Sequence, residues 1–337
     1  MSSTENRMVR FVAYFFIFVI LYISVSLSLL TFSMIEIQRG VPHSDPVLRT
    51  YQRYLYHKGW RDLYQSRRER MDFDKELLYK PKYGRFAFNN LEFRTFLTFG
   101  PEGRISGNTI TNNRPGIAVL GDSHAMGHGV NDSETFAARL EKKLDRHVYN
   151  LAVSSYGTYR ELLSLQKSGL LDRIDTVVIQ YCENDLEENQ AKLVDRSPAL
   201  PGKFNSMYSP KGRPDALAGI LRKMNVWLEG TFTLPVQSVI AWYTPYDKSY
   251  DFEPHYEAMT KVFELFPWLK SKQVIVIYSN RYGRKYRNFA EVTGKSKERF
   301  LRFVDLHLGT EDYYAVDDHL NARGHEKIAQ ILAGILR

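Results

Sequence analysis

The sequence predicts an α/β fold, a parallel sheet covered by helices on both faces, with one membrane-spanning helix ahead of it. Three observations lead there. Short apolar runs rich in β-branched residues recur at 116–120, 147–153, 175–181, 274–278 and 302–306. Amphipathic helical patterns separate them, and runs that are apolar throughout belong to strands buried on both sides, as in parallel sheets. Near the N-terminus, 25 residues from Phe11 to Ile35 carry no charge.

The apolar stretch comes first. At about 1.5 Å per residue a helix over 11–35 exceeds a hydrocarbon core of roughly 30 Å, so it spans with some tilt. A secretory signal has an apolar region of only about 7 to 15 residues, which favours an uncleaved anchor, although small residues at Ser24, Ser26 and Ser28 would permit cleavage. Arg7 and Arg10 precede the span and Arg39, Arg49 and Arg53 follow it, so positive charge does not decide the orientation. A tail of residues 1–10 reads as cytoplasmic, and long C-terminal domains translocate largely regardless of charge. The expectation is a single-pass protein of the cytoplasmic membrane, with its main domain facing the periplasm or cell exterior. From Arg39 to Arg85 twelve Lys or Arg stand against six Asp or Glu, most of the excess behind the chain's net charge of +8. Asp45 can cap a helix with Pro46 in its first turn, so 36–85 is predicted as a basic juxtamembrane helical segment. Contact with anionic lipid head groups and a plain solvated helix are equally good readings of that charge. Nucleic acid is excluded as a partner, because a tethered domain outside the cytoplasm does not meet it.

The main domain is predicted over 86–337. Its first core strand, Gly116 to Leu120, stops at Gly121-Asp122-Ser123-His124. A loop with Gly127 and Gly129 follows, then a helix capped by Asp132 or Ser133, with Phe136, Leu140 and Leu144 on one face. A polar turn at the carboxyl end of a core strand is where open α/β sheets hold ligands. The second run, His147 to Val153, leads into Ser154-Ser155-Tyr156-Gly157-Thr158 and a helix carrying Leu162, Leu163 and Leu165; the third, Asp175 to Tyr181, stops at Cys182-Glu183-Asn184-Asp185. Residues 190–250 hold Pro198, Pro201, Pro210, Pro214, Pro235 and Pro245 and break the alternation, so they are predicted to be an insertion forming a lid or substrate wall. After the runs at 274–278 and 302–306, Tyr313 to Val316 leads to Asp317-Asp318-His319 and a last helix with Ile328, Ile331, Leu332 and Ile335.

These strand ends carry the parts of serine acyl chemistry: a nucleophile, a base, a group that orients the base, and donors for an oxyanion. Ser123 is the candidate nucleophile. Its own N–H, an N–H within Ser155 to Gly157 and the Asn184 side chain are candidate donors. His319 is the candidate base, and a carboxylate two residues earlier is close enough to hold its tautomer. Taken singly, Asp-Ser-His is an ordinary polar turn and His319 a surface histidine; together and in order they are not. His124 and His128 flank the serine without a clear second pair of ligands, and substrate contact or solvation is preferred to metal binding. His325-Glu326 lacks the second histidine of a zinc-protease helix. Glu183, Glu187 and Glu188 read as a solvated helix start.

The pattern resembles the SGNH, or GDSL-type, hydrolase superfamily. Gly121-Asp122-Ser123-His124 is similar to its first block, Asn184-Asp185 to its third and Asp317-Asp318-His319 to its last. The second block departs: Asn150-Leu151-Ala152-Val153-Ser154-Ser155 puts Ser155 where an oxyanion glycine is usual, with Gly157 two residues on, so either can supply the N–H. Cys182 replaces another frequent glycine, and Asp317 or Asp318 can orient the histidine. The resemblance covers about residues 80 to 337. It implies a flavodoxin-like three-layer sandwich, Ser123 as nucleophile, His319 as base, Asp317 as its partner, and Ser123, Ser155, Gly157 and Asn184 about the oxyanion, without cofactor or metal. Anchored relatives suggest an O-acylesterase or O-acyltransferase acting on acetyl esters of envelope polysaccharide, with an acylated glycan or lipid as substrate and a polysaccharide export or acetylation complex as partner. The alternatives are a lipid esterase or lysophospholipase, and a catalytically silent SGNH domain that binds glycan or serves as a scaffold. The single cysteine, Cys182, excludes an internal disulfide.

Overall fold

A computed structural model describes residues 3–42, 45–208, 224–236, 251–279, 286, 288–296 and 298–337. The chain divides into two compact units, Met1–Arg61 with Gly212–Asp247, and Asp62–Lys211 with Lys248–Arg337. Part of the predicted insertion thus belongs to the N-terminal unit; its residues 209–223 and 237–250 lie outside the described residues.

In the first unit, helix α1 runs Ser3–Arg39, and Asn6–Arg39 is long and apolar enough to cross a membrane, a property that signal sequences share. Helix α2, Pro46–Leu55, is capped by Asp45, whose carboxylate accepts the Val47 and Leu48 N–H groups at 3.0 and 2.9 Å. A π-helical turn at Tyr56–Trp60 ends it. The helical run 224–236 contains a second π-helical turn, Glu229–Thr233.

The second unit begins with the hairpin β1 (Met71–Asp74) and β2 (Leu78–Pro81), turned by the Asp74 carboxylate on the Glu76 and Leu77 N–H groups. The basic stretch 36–85 is therefore divided between the units and only partly helical. Much of its charge serves packing: Arg70 pairs with Asp62 and lies over the Tyr64 and Phe88 rings.

Strands β3 (Gly84–Asn89), β4 (Arg94–Gly100), β5 (Gly103–Arg104), β6 (Gly116–Gly121), β7 (Val148–Asn150), β8 (Ile174–Tyr181), β9 (Gln273–Tyr278) and β10 (Leu301–Asp305) form one sheet in the order β10-β9-β8-β6-β7-β5-β4-β3. From β10 to β7 neighbours run parallel; β7, β5, β4 and β3 pair antiparallel. The sheet is mixed, not parallel throughout. The antiparallel strands are those with alternating burial, such as Thr95, Leu97 and Phe99 of β4 inward, whereas β6 is buried along its whole length.

The helices are α3 (Ser123–Met126), α4 (Phe136–Leu144), α5 (Thr158–Lys167), α6 (Asp185–Val194), α7 (Pro201–Tyr208), α8 (Glu253–Glu264), α9 (Phe289–Gly294) and α10 (Ala322–Leu336). Two apolar cores result. Ile117 and Val119 of β6 join Phe136, Leu140, Ile328 and Leu332 in one, while Ala118 and Leu120 join Leu162, Leu165, Met259 and Val262 in the other. Alternate residues of one strand serving two cores put helices on both faces. The cap of α4 is Thr135, whose Oγ1 accepts the Ala138 N–H at 3.1 Å; Asp132 and Ser133 lie instead in a 3₁₀ turn.

The parallel strands, numbered in chain order from β6, stand 5-4-3-1-2. The order reverses between β6 and β8, and a crevice opens beyond the carboxyl ends of strands at such a switch point. Ser123 follows β6 and Asn184 follows β8.

Candidate active site

Strand β6 ends on Gly121 at φ +147°, where a Cβ would come within 2.6 Å of Ala125 Cβ, so the turn into α3 admits no side chain. The Asp122 carboxylate accepts the His124 N–H at 2.9 Å, and Gln180 Oε1, from β8, accepts the Asp122 and Ala125 N–H groups at 3.2 and 3.1 Å. Ser123 is thereby fixed at the first position of α3, where a backbone N–H has no partner within the helix.

Ser123 Oγ lies 2.8 Å from His319 Nε2, and His319 Nδ1 is hydrogen-bonded to Asp317 Oδ1. All three are nearly sealed from solvent. Burial alone would raise the Asp317 pKa, but the charges and hydrogen bonds of the His128 and His319 imidazoles hold the carboxyl well below the usual range. Asp317, not Asp318, therefore faces the base; Asp318 instead occupies the left-handed region, at φ +69°, in the turn between them.

The loop carrying Asp317 and His319 is held from the far edge of the sheet. Glu92, between β3 and β4, accepts the Ala315 N–H with one carboxylate oxygen and the Val316 and Asp317 N–H groups with the other, at 2.8, 2.8 and 2.7 Å. Burial pushes the Glu92 pKa up against those three bonds. The loop after α3 is held by Arg104 of β5, whose guanidinium donates to the carbonyls of Met126, Gly127 and Val130 and pairs with Asp132 at 2.8 Å.

Of the two readings given to His124 and His128, substrate contact or solvation, the second does not hold. Both are buried, and the His128 ring stacks on His319 with centroids 3.7 Å apart, its Nε2 3.4 Å from Asp317 Oδ1. Phe88 and Phe93 meet it edge-on, and Gly129 packs so closely on Phe93 and Tyr314 that a Cβ would clash. The ligating atoms of His128, Asp317 and His319 lie within 4.8 Å of one another. Two stacked imidazoles sharing one carboxylate oxygen suit hydrogen bonding better than a metal site, where ligand lone pairs converge on one ion from well-separated directions.

Of the predicted oxyanion donors, Ser155 is an exposed residue at φ +62°, and it keeps that conformation under three restraints. Gln65 Nε2 donates to its Oγ at 2.7 Å, Arg160 donates to its carbonyl, and the Tyr79 hydroxyl donates to the Ser154 carbonyl at 2.8 Å. Gly157 precedes α5 with ordinary φ, and a Cβ there would press within 2.9 Å of Glu188. Glu188 grips Arg160 through both oxygens, unlike the solvated residue expected. Asn184 is exposed at the start of α6. Behind this row, burial, reinforced by neighbouring carboxylates such as Asp122, pushes the carboxyls of Glu161 and Asp185 well above the usual range.

No family model and no curated protein matches the chain. Solved structures that resemble it distantly include the following three. A protein named as lipolytic, of the G-D-S-L family, from Desulfitobacterium hafniense is 12% identical, over 66% of this chain and 100% of that one, with a TM-score of 0.37. A carbohydrate esterase family 2 enzyme with a carbohydrate-binding domain, from Corynascus thermopiles, is 13% identical over 71% and 69%, with a TM-score of 0.34. LAE5, an alpha/beta hydrolase from the metagenome of Lake Arreo, is 14% identical over 67% and 98%, with a TM-score of 0.36. By name they are a lipolytic protein, a carbohydrate esterase and an alpha/beta hydrolase. At such scores the likeness carries no argument about chemistry, which rests on the residues themselves.

Glu92, Arg104 and Gln180 were not singled out as functional from sequence, and His128 was read only as a substrate contact or a solvated residue. Glu92 lies within the stretch over which the family resemblance was read, about residues 80 to 337, but no motif marks it.

Proposed function

We propose that the chain is a serine esterase or O-acyltransferase of the SGNH type. The observation that carries this reading is the buried hydrogen-bonded series from Ser123 through His319 to Asp317. His319 Nε2 takes the Ser123 proton as Oγ attacks an acyl carbonyl, and Asp317 holds the proton on Nδ1 and balances the imidazolium that forms. The oxyanion meets the Ser123 N–H, a backbone N–H of the Ser155 to Gly157 loop and the Asn184 amide. Collapse expels the alcohol, protonated by His319, and leaves an acyl-serine. Water or an acceptor hydroxyl then attacks that ester, with His319 again as base.

The switch-point order of the parallel strands supports a flavodoxin-like core. The apolar α1 supports an anchored enzyme; with its domain facing the cell envelope, its substrate in this reading is acetylated envelope polysaccharide, as the resemblance to anchored relatives suggests. The test is incubation of the protein with p-nitrophenyl acetate and with a fluorophosphonate probe. Turnover and labelling at Ser123, both lost in Ser123→Ala, are expected. A wild-type protein that neither turns over nor labels would refute the enzyme reading. Weighing the products formed with acetylated and unacetylated glycans separates transfer from hydrolysis.

A further inference from the structure

In the first unit, α1 and the run 224–236 cover several small or polar residues and leave a number of large apolar ones open. On α1 the buried positions Ser26, Leu30, Ser33 and Ile37 fall on one face at spacings of four, three and four, with Glu36 also buried beside them, so that three of the five are polar; the exposed positions include Phe15, Phe16, Phe18, Leu21 and Val25. The run 224–236 repeats the pattern. Gly230, Thr231 and Leu234 are buried, whereas Met224, Leu228, Phe232 and Val236 form one exposed row at helical spacing, each about half open. A soluble helix has the opposite polarity; small residues inside and large apolar ones outside mark helices packed together in lipid.

The two helices touch along the apolar length of α1. The Tyr22 hydroxyl donates to the Phe232 carbonyl at 3.1 Å, and Gly230 sits so close to Leu30 that a Cβ would lie 2.8 Å from it. Nearer the end of the uncharged stretch, Glu229 is neutralised by Lys58 at 3.0 Å and by the Tyr54 hydroxyl at 2.8 Å, with Trp227 two residues away. Tyrosine, tryptophan and lysine are the side chains that sit at the level of lipid head groups. In the sequence no charge follows Glu229 until Asp247.

We infer that residues 224–236 form a second membrane-embedded element, seated on α1 through Gly230 and Thr231 with its Met224, Leu228, Phe232 and Val236 row facing lipid acyl chains. The inference rests on the reading that α1 remains in the bilayer. It goes further: the segment between the two portions of the hydrolase unit returns to the membrane, so the chain enters lipid twice. The contacts also bear on processing, since cleavage near Ser24 to Ser28 would remove the Tyr22 donor.

The test uses the full chain in vesicles of phosphatidylcholine and phosphatidylglycerol, with single variants Phe18→Cys, Phe232→Cys, Val236→Cys and, on the open end of α6, Val194→Cys. A membrane-impermeant maleimide needs a hydrated thiolate. Cys at 18, 232 and 236 should therefore react at least about tenfold more slowly than Cys at 194, and equally fast once the membrane is dissolved. Bimane attached at 232 in detergent should be quenched after reconstitution with dibrominated lipid. Fast labelling at 232 and 236 with protection at 18 would overturn the inference and leave the anchor standing. Fast labelling at 18 would remove the anchor reading itself. Protection at 232 without quenching would mean that a second copy of the chain covers the row, and would also overturn the inference.

Discussion

Glu92→Gln tests how far the base depends on a strand that is remote in sequence. The carboxylate holds three backbone N–H groups of the base loop. An amide oxygen can keep the pair shared by Val316 and Asp317, but its NH₂ then faces the Ala315 N–H, donor against donor. Hydrogen bonds to a charged group are worth about 1.5 to 3 kcal/mol and neutral ones about 0.5 to 1.5. One bond lost and two weakened come to about 4 kcal/mol. Part is returned because a neutral amide is easier to bury than the carboxylate, so a net loss of about 2 to 3 kcal/mol is expected. For a unit of this size that is a fall in Tm of about 5 to 10 °C. The same slack lets Asp317 and His319 drift, and a misplacement of about 1 Å costs roughly 100-fold in rate. Thermal melting and p-nitrophenyl acetate kinetics in detergent should show a lower Tm and a kcat reduced about 10- to 100-fold at little-changed KM. A variant that matched wild type in both Tm and kcat would refute the bracing role of Glu92.

Asp317→Asn should lower kcat by up to about 10⁴-fold with the fold intact, because an amide can hold His319 in the wrong tautomer; circular dichroism with esterase rates checks both halves. Ser155→Gly relieves a left-handed backbone that costs an L-residue about 1 to 2 kcal/mol but gives up the Gln65 hydrogen bond to Oγ, worth about 0.5 to 1.5 kcal/mol, so Tm should change by no more than a few degrees, and turnover should stay within a few-fold if only the N–H is used. His255, buried beside the Tyr181 hydroxyl at 2.9 Å, has its pKa lowered to about 4 by burial. The unfolded chain therefore binds a proton that the folded one refuses between about pH 6.5 and 4, so stability is full above that window and lost as pH falls through it. Melting temperatures of wild type and His255→Gln across this range check the sign, and the variant should show the shallower decline.

The parallel half of the sheet was legible because its strands are short, apolar and punctuated by polar blocks that need a strand end. Ser123, His319 and Asp317 were legible for the same reason. Residues 62–104 were not: their basic charge masks an alternating pattern in which Arg70 and Arg104 are consumed by packing. Glu92 and His128 act through contacts that join distant parts of the chain, 223 residues apart for Glu92 and Ala315, and no local pattern announces such pairs. A glycine-rich loop suggests solvation of the histidines at 124 and 128, and that reading fails because both rings are buried and Phe88 and Phe93 close on His128; substrate contact, the other reading, is left standing.

The braces on the site also set where a working fragment can begin. Every block that marks the family resemblance lies after Gly116, yet Gln65 and Tyr79 hold the Ser154-Ser155 turn and Glu92 holds the base loop. A fragment trimmed to the recognisable blocks would keep every reacting group and lose their alignment. One starting at Asp62 retains all three restraints, so comparing ester turnover of fragments begun at 62 and at 105 would measure how much of the rate resides in the part of the chain that carries no motif.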